Sequence, residues 1–154
     1  MKKIVYFIFC LSLVIPSLVL AGWGTPVPLN VTSGSAFKTW AITGTASGTT
    51  FADYNSTTTD QNFMKGYYIY LAEITMGSTA PADNFKIEIM NDDNTSLTGG
   101  ALDDCDNATH SKFYMFDLDT TRKYTPPVDG RIKIRTTENT IDSASYTIKL
   151  YLMR

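Results

Sequence analysis

The sequence predicts an all-β fold, a single antiparallel β-sandwich that is jelly-roll-like, behind a cleaved leader. Three observations carry this. Apolar residues recur at every second position in several segments, which is the period of a half-buried strand. Past the first 21 residues no window keeps a helical period. Threonine and aromatic residues, which favour strands, are interleaved with clusters of Gly, Asn and Asp, which favour turns.

The chain opens Met1-Lys2-Lys3 and then runs apolar from Ile4 to Ala21, broken only by Ser12, Pro16 and Ser17. Cations, an apolar core and small residues make a secretory signal, with cleavage expected after Val19-Leu20-Ala21. The run is also about the minimum for a spanning helix, so a retained anchor is the alternative; Pro16 and the small Ala21 favour cleavage. Cys10, behind the bulky Phe9 and inside the apolar core, does not fit a lipid-attachment site. Of 154 residues, loss of the first 21 leaves 133, one domain with room for a core. Two lysines leave with the leader, so 11 basic residues face 15 acidic ones and the mature net charge is −4. With no basic run, nucleic acid is excluded as a partner. The expected location is secreted, periplasmic or at the cell surface, with no stable membrane insertion after cleavage.

Residues 22–35 read as an extended N-terminal arm or edge strand, and 36–154 as the sandwich. In the arm, Val27, Leu29 and Val31 alternate with Pro26, Pro28 and Asn30; prolines cannot donate to a ladder, so the segment belongs at an edge. Phe37 to Thr43, with Trp40, is a strand. Ala46 to Asn62, rich in Gly, Ser, Thr and Asp, reads as a loop. Within Gly66 to Met76, Tyr67 to Ala72 is apolar or aromatic on both faces and reads as a central strand. Phe85, Ile87 and Ile89 share one face of the next strand, ahead of the acidic turn Asn91 to Asn94. Gly99-Gly100 opens a polar loop through Ser111, and Phe113 to Leu118 forms a further strand. The turn Pro126 to Gly130 leads into Arg131 to Arg135, where Ile132 and Ile134 point inward. The last strand holds Tyr146, Ile148, Leu150 and Leu152 on one face. One buried and one wet face is the habit of antiparallel sheets.

No catalytic constellation is legible. His110 is the only histidine, in a polar stretch beside Ser111, and no Gly-x-Ser-x-Gly elbow exists, so it reads as a plain loop residue. Cys105 is the only cysteine of the mature chain, which rules out an intramolecular disulfide there and reads as a buried or reduced thiol. Acidic residues cluster at Asp92-Asp93, at Asp103, Asp104 and Asp106, and at Asp117 and Asp119. Oxygen ligands from two loops could hold calcium, although the EF-hand spacing is absent; solvated turns are the plainer account, and no cofactor is expected otherwise. Four Asn-x-Ser/Thr triplets, at Asn30, Asn55, Asn94 and Asn107, arise by chance in so Asn- and Thr-rich a chain. Trp40, Tyr67, Tyr68, Tyr70 and Tyr151 are candidates for a sugar-stacking platform, set against their more usual use as core or cross-strand partners. The arm residues Val27, Leu29 and Val31 are candidates for strand addition to a second copy, set against pairing within their own domain.

From Gly66 onward the order is a Tyr-rich strand to Ile74, then Asp83-Asn84-Phe85-Lys86-Ile87-Glu88-Ile89, the acidic turn Asn91 to Asn94, Leu97-Thr98-Gly99-Gly100, Pro127-Val128-Asp129-Gly130-Arg131-Ile132, and Ser145 to Tyr151. Residues 66–154 in this order resemble small β-sandwich structural proteins of tailed phages and prophages. The resemblance implies a structural, assembly-associated role; the secretory leader departs from it. Together these readings predict an exported, non-enzymatic structural or interaction subunit whose partner is another copy of itself, through the arm. The alternative is a secreted glycan-binding module with calcium at its acidic loops.

Overall fold

The structure, a computed structural model, describes residues 22–29, 36–107, 110–115 and 126–154. The expected leader (1–21), Val31 of the arm, Asp117, Asp119 and residues 116–118 of the strand expected at Phe113 to Leu118 lie outside these. The elements are β1 (Gly22–Trp23), β2 (Val27–Leu29), β3 (Phe37–Thr45), β4 (Tyr54–Asn55), α1 (Thr58–Met64), β5 (Tyr68–Met76), β6 (Lys86–Met90), β7 (His110–Tyr114), β8 (Lys133–Thr137) and β9 (Ser145–Met153).

They form a sandwich of two antiparallel sheets. The large sheet has the order β1-β3-β9-β5-β7, and β2 also pairs with β3. Because β1 and β2 lie end to end along one edge of β3, six strands fill five positions. Their registers differ by one residue (Trp23↔Gly44, then Val27↔Ala41), so the edge is bulged around Thr25 and Pro26. The small sheet has the order β4-β8-β6. From β3 to β9 successive strands alternate between the sheets, so every connection crosses the core.

Period-two alternation sets the inner faces. Trp40 and Ile42 of β3, Ile69, Ala72 and Ile74 of β5, and Tyr146, Ile148, Leu150 and Leu152 of β9 are buried from the large sheet. Ile87 and Ile89 of β6 and Ile134 of β8, with Phe85 and Ile132 beside those strands, close the core from the other side. At its centre Tyr146 packs against Phe51 and Phe85 with ring centroids 5.2 and 5.5 Å away, and its hydroxyl hydrogen-bonds Thr136. Burial of each such side chain contributes about 1.5–3 kcal/mol.

Two expectations need correction. The stretch Ala46 to Asn62 is not all loop, since it holds β4 and most of α1. The helix forms despite its threonines because Thr57 caps it: Thr57 Oγ1 accepts from the Asp60 N–H (3.3 Å), and the Asp60 carboxylate accepts from the Thr57 N–H (3.0 Å), a reciprocal box. Asp60 is buried and also accepts from Trp40 Nε1 (3.0 Å), Tyr54 OH (2.9 Å) and Thr57 Oγ1 (2.6 Å). Burial pushes its carboxyl up, but these donors outweigh it and hold the group below the usual range. The second correction concerns the loop expected to end at Ser111. The strand there begins at His110 because residues 110–114 face 71–75 of β5.

The edge of β6 is covered by the chain from Ser96 to Cys105, through Leu97 N–H to Ile89 O (2.7 Å), Ile87 N–H to Leu102 O (2.9 Å) and the Phe85–Cys105 bridge. The outer face of the small sheet carries ion pairs, with Lys86 near Glu88 and Asp103 and with Arg135 on Asp53, while Lys133 donates to Asn94 Oδ1. Among the described residues no helix is long and apolar enough to cross a membrane.

Candidate functional site

The outer face of the large sheet differs from that ionic surface. Register places its side chains in cross-strand rows. One row is Thr39, Tyr151, Leu71 and Tyr114, running from β3 to β7. The next is Val27, Ala41, Lys149, Glu73 and Lys112. A third is Thr43, Thr147, Thr75 and His110. Phe37, Met153 and Tyr68 form the row at the far end. A register shift between Ile69 and Leu71 adds one residue to β5. That bulge turns Tyr70 outward, where its ring meets Phe37 (6.2 Å between centroids) and Tyr151 (6.1 Å), both near edge-on.

Phe37, Lys38, Thr39, Tyr70 and Tyr151 line an open cleft of about 260 Å³ on this face. Phe37 is 60% exposed, Tyr114 66% and Val27 52%, three of the four large apolar side chains most open to solvent among the described residues. Lys38 closes the rim, donating to Phe63 O (2.8 Å) with its ammonium 4.2 Å from the centre of the Tyr67 ring.

Beside the cleft lies a charge cluster around Glu73, whose side chain is only 13% exposed. Tyr151 OH donates to Oε2 (2.7 Å), His110 Nε2 lies 2.9 Å from Oε1, Lys112 Nζ lies 3.6 Å from Oε1, and Lys149 Nζ lies 3.8 Å from Oε2. The Tyr151 hydroxyl, then the charges of His110, Lys149 and Lys112, hold the Glu73 carboxyl below the usual carboxylate range against its burial. Tyr151 therefore joins the two parts of the site, its ring walling the cleft and its hydroxyl clamping the carboxylate. Thr75 Oγ1 lies 3.2 Å from His110 Nδ1, giving a Thr-His-Glu line. Thr75 sits on a central strand with ladder neighbours on both sides, His110 and Thr147, so its backbone donors are committed to the sheet rather than to an oxyanion.

Of the platform candidates, Tyr68, Tyr70 and Tyr151 lie on this outer face. Trp40 and Tyr67 do not. Trp40 is fully buried, because Trp40 and Ile42 share the inward parity of β3, and its Nε1 is spent on Asp60; Tyr67 is buried under Lys38 before β5 begins. Among the described residues no group of three or more His, Cys, Asp or Glu side chains is placed to hold a metal ion, and Asp92, Asp93, Asp103, Asp104 and Asp106 are not brought together as one. Asp92 instead meets Arg131 (3.6 Å), Asp103 meets Lys86 (3.6 Å), and Asp93 and Asn91 bond each other within the turn. In the arm, Val27 and Leu29 are paired with β3 of their own chain. Trp23 anchors that edge: its Nε1 donates to Ala52 O (2.6 Å), and its ring packs on Tyr54 and Tyr146 at 5.5 and 6.0 Å. Cys105 is an unpaired buried thiol, pushed up to about 12 by burial and by the charges of Asp104 and Asp103.

His110 is thus a strand residue rather than a plain loop residue. Sequence reading also missed Glu73, Phe37, Lys112, Tyr114 and Lys149 as members of one face. A signal for Glu73 was available: it is the single charge in an otherwise apolar or aromatic strand. No family model, curated protein or solved structure matches the chain, and nothing there bears on the resemblance of residues 66–154 to phage structural proteins.

Proposed function

We propose that this protein is an exported, non-enzymatic interaction module that binds a glycan on the outer face of its large sheet. The observation that carries the proposal is the aromatic cleft of Phe37, Tyr70 and Tyr151, left open on a sheet face where polar residues would be expected. Tyrosine and phenylalanine rings fixed on strands offer apolar surface to the C–H faces of a sugar ring at little entropic cost. The test is affinity electrophoresis of the purified protein in gels carrying neutral or acidic polysaccharides. Retardation by some polymer, lost in Phe37→Ala/Tyr70→Ala, is the expected result. Equal mobility of wild type and variant in every gel refutes the proposal.

Self-assembly through the N-terminal arm is a second reading, favoured by the short edge pairing of the arm: among its described residues, five ladder positions, the Gly24 N–H to Thr43 O bond and Trp23 hold it. Since β3 already holds its own arm, assembly of this kind is an exchange of arms between copies. Light scattering on size-exclusion fractions tests it: oligomers lost on deleting residues 22–29 support exchange, and a monomer at every concentration excludes it.

A further inference from the structure

The outer face of the large sheet carries a segregated charge. On that face, along the described strands, Glu73 is the sole acidic residue and Lys112, Lys149 and His110 are the basic ones, while Lys38 has the inward parity of Trp40 and turns to Phe63 O at the end of the sheet. The strands of the small sheet are rich in cations too, with Lys86, Lys133 and Arg135 against Glu88, so the distinction lies in the carboxylates that answer them. One carboxylate is shared among Lys112, Lys149 and His110, which leaves the cluster cationic in sum. Lys112 is 52% exposed at the side chain and Lys149 is 33% exposed, the latter lying over the Tyr151 ring with its ammonium 4.8 Å from the ring centre. On the small sheet, by contrast, Lys86 and Arg135 each meet a carboxylate of their own surface.

We infer that the polymer bound on this face is an acidic polysaccharide, with sugar rings against Phe37, Tyr70 and Tyr151 and their carboxylates on Lys149 and Lys112. The inference rests on the glycan-binding proposal and names its ligand class. The aromatic row and the lysine row are two residues apart along the strands, about 6.6 Å, so a sugar chain lying along β9 and β5 meets both. Glu73 positions the lysines: it draws both ammonium groups to one line, and Tyr151 locks that carboxylate. A uronate carboxylate then finds two cations held in place and only partly neutralised. Two lysines and a histidine around one carboxylate make the local field of this cluster attractive to a polyanion.

The test uses polygalacturonate, alginate and hyaluronate in affinity gels, with methyl-esterified polygalacturonate as the uncharged match and single-stranded DNA as a polyanion without sugar-acid rings. At least one acidic polysaccharide should retard the protein, the effect shrinking as salt rises from 0.05 to 0.5 M, an interval across which the screening length falls severalfold. Lys112→Gln/Lys149→Gln, at unchanged circular dichroism, should weaken retardation about tenfold, the loss of one charge-assisted contact or more. Equal binding of the methyl ester, undiminished binding by the lysine variant, or equal retardation by DNA overturns the inference while the glycan proposal stands. Retardation by neutral polymers alone does the same. Binding to none of the polymers overturns both.

Discussion

The buried Asp60 carboxylate offers the sharpest test of how the fold is held. It takes four hydrogen bonds, from Trp40 Nε1, Tyr54 OH, Thr57 Oγ1 and the Thr57 N–H, and so ties β3, β4 and α1 together. Asp60→Asn keeps one acceptor for Trp40 but turns an amide toward three donors. The two hydroxyls can rotate and accept; the Thr57 N–H cannot. Loss of that bond and of charge assistance in the others should cost about 2–3 kcal/mol. Asp60→Ala strands all four donors and removes half of the capping box, costing about 4–5 kcal/mol. Tyr54→Phe leaves the carboxylate three donors and should cost about 1 kcal/mol. At this chain length about 1 kcal/mol corresponds to roughly 3–5 °C in Tm, so Asp60→Asn should melt about 10 °C low.

The pH dependence follows from the direction of the shift. The folded carboxyl titrates below its unfolded value, so its stabilisation is full above the unfolded pKa of about 3.9. It is lost as pH falls through the lower folded value. Urea titrations at pH 7 and pH 3 should show the Asp60→Asn deficit shrinking in acid. A deficit below about 1 kcal/mol at pH 7, or one of equal size at both pH values, refutes this account.

Three further outcomes are expected. A Cβ on Gly44 would lie 2.8 Å from the Trp23 ring, so Gly44→Ala should cost about 1–3 kcal/mol in urea unfolding and much less in a Trp23→Ala background; strict additivity would show that the ring does not set the requirement. Cys105 should resist iodoacetamide in the native protein at pH 8 and react fully in urea, read on the Cys105 peptide by mass, since the buried thiol is pushed up to about 12. Labelling at the unfolded rate would place it at the surface. Tyr151→Phe removes the donor that does most to hold Glu73 low, so the Glu73 carboxyl should titrate at higher pH in that variant by carbon NMR, and an unmoved titration would refute the clamp.

The long strands were legible because alternation repeats along them, whereas the two-residue β4 and the start of β7 at His110 lay in stretches read as loop. Phe85, Ile87 and Ile89, and again Tyr146 to Leu152, show the inward parity that the buried core confirms. Helix α1 was missed because seven residues rich in threonine carry no helical period; its one local signal was Thr57-Thr58-Thr59-Asp60, a cap pattern with an acid three residues on. The aromatic candidates divided for reasons of parity. Trp40, two residues from Ile42, could have been assigned inward, whereas the outward turn of Tyr70 depends on a bulge that nothing local announces. The pairing of Glu73 with His110 joins residues 37 positions apart across β5 and β7, and only the sheet order brings them together. The acidic turns looked like ligands because sequence shows carboxylates but not the cations that answer them, Arg131 and Lys86.

β9 has a role in time as well as in space. Its nine residues pair along their whole length with β3 on one side and over eight positions with β5 on the other. The large sheet therefore has no middle until β9 has been made. Before then local turns and α1 can form, but β3 and β5 have nothing between them, and non-local pairing of this kind is slow. Completion of the sheet thus waits on the last of the described strands, whatever the order of the local events. Loss of β9 would remove the spine of the sheet and leave β3 and β5 with open edges able to pair with other copies.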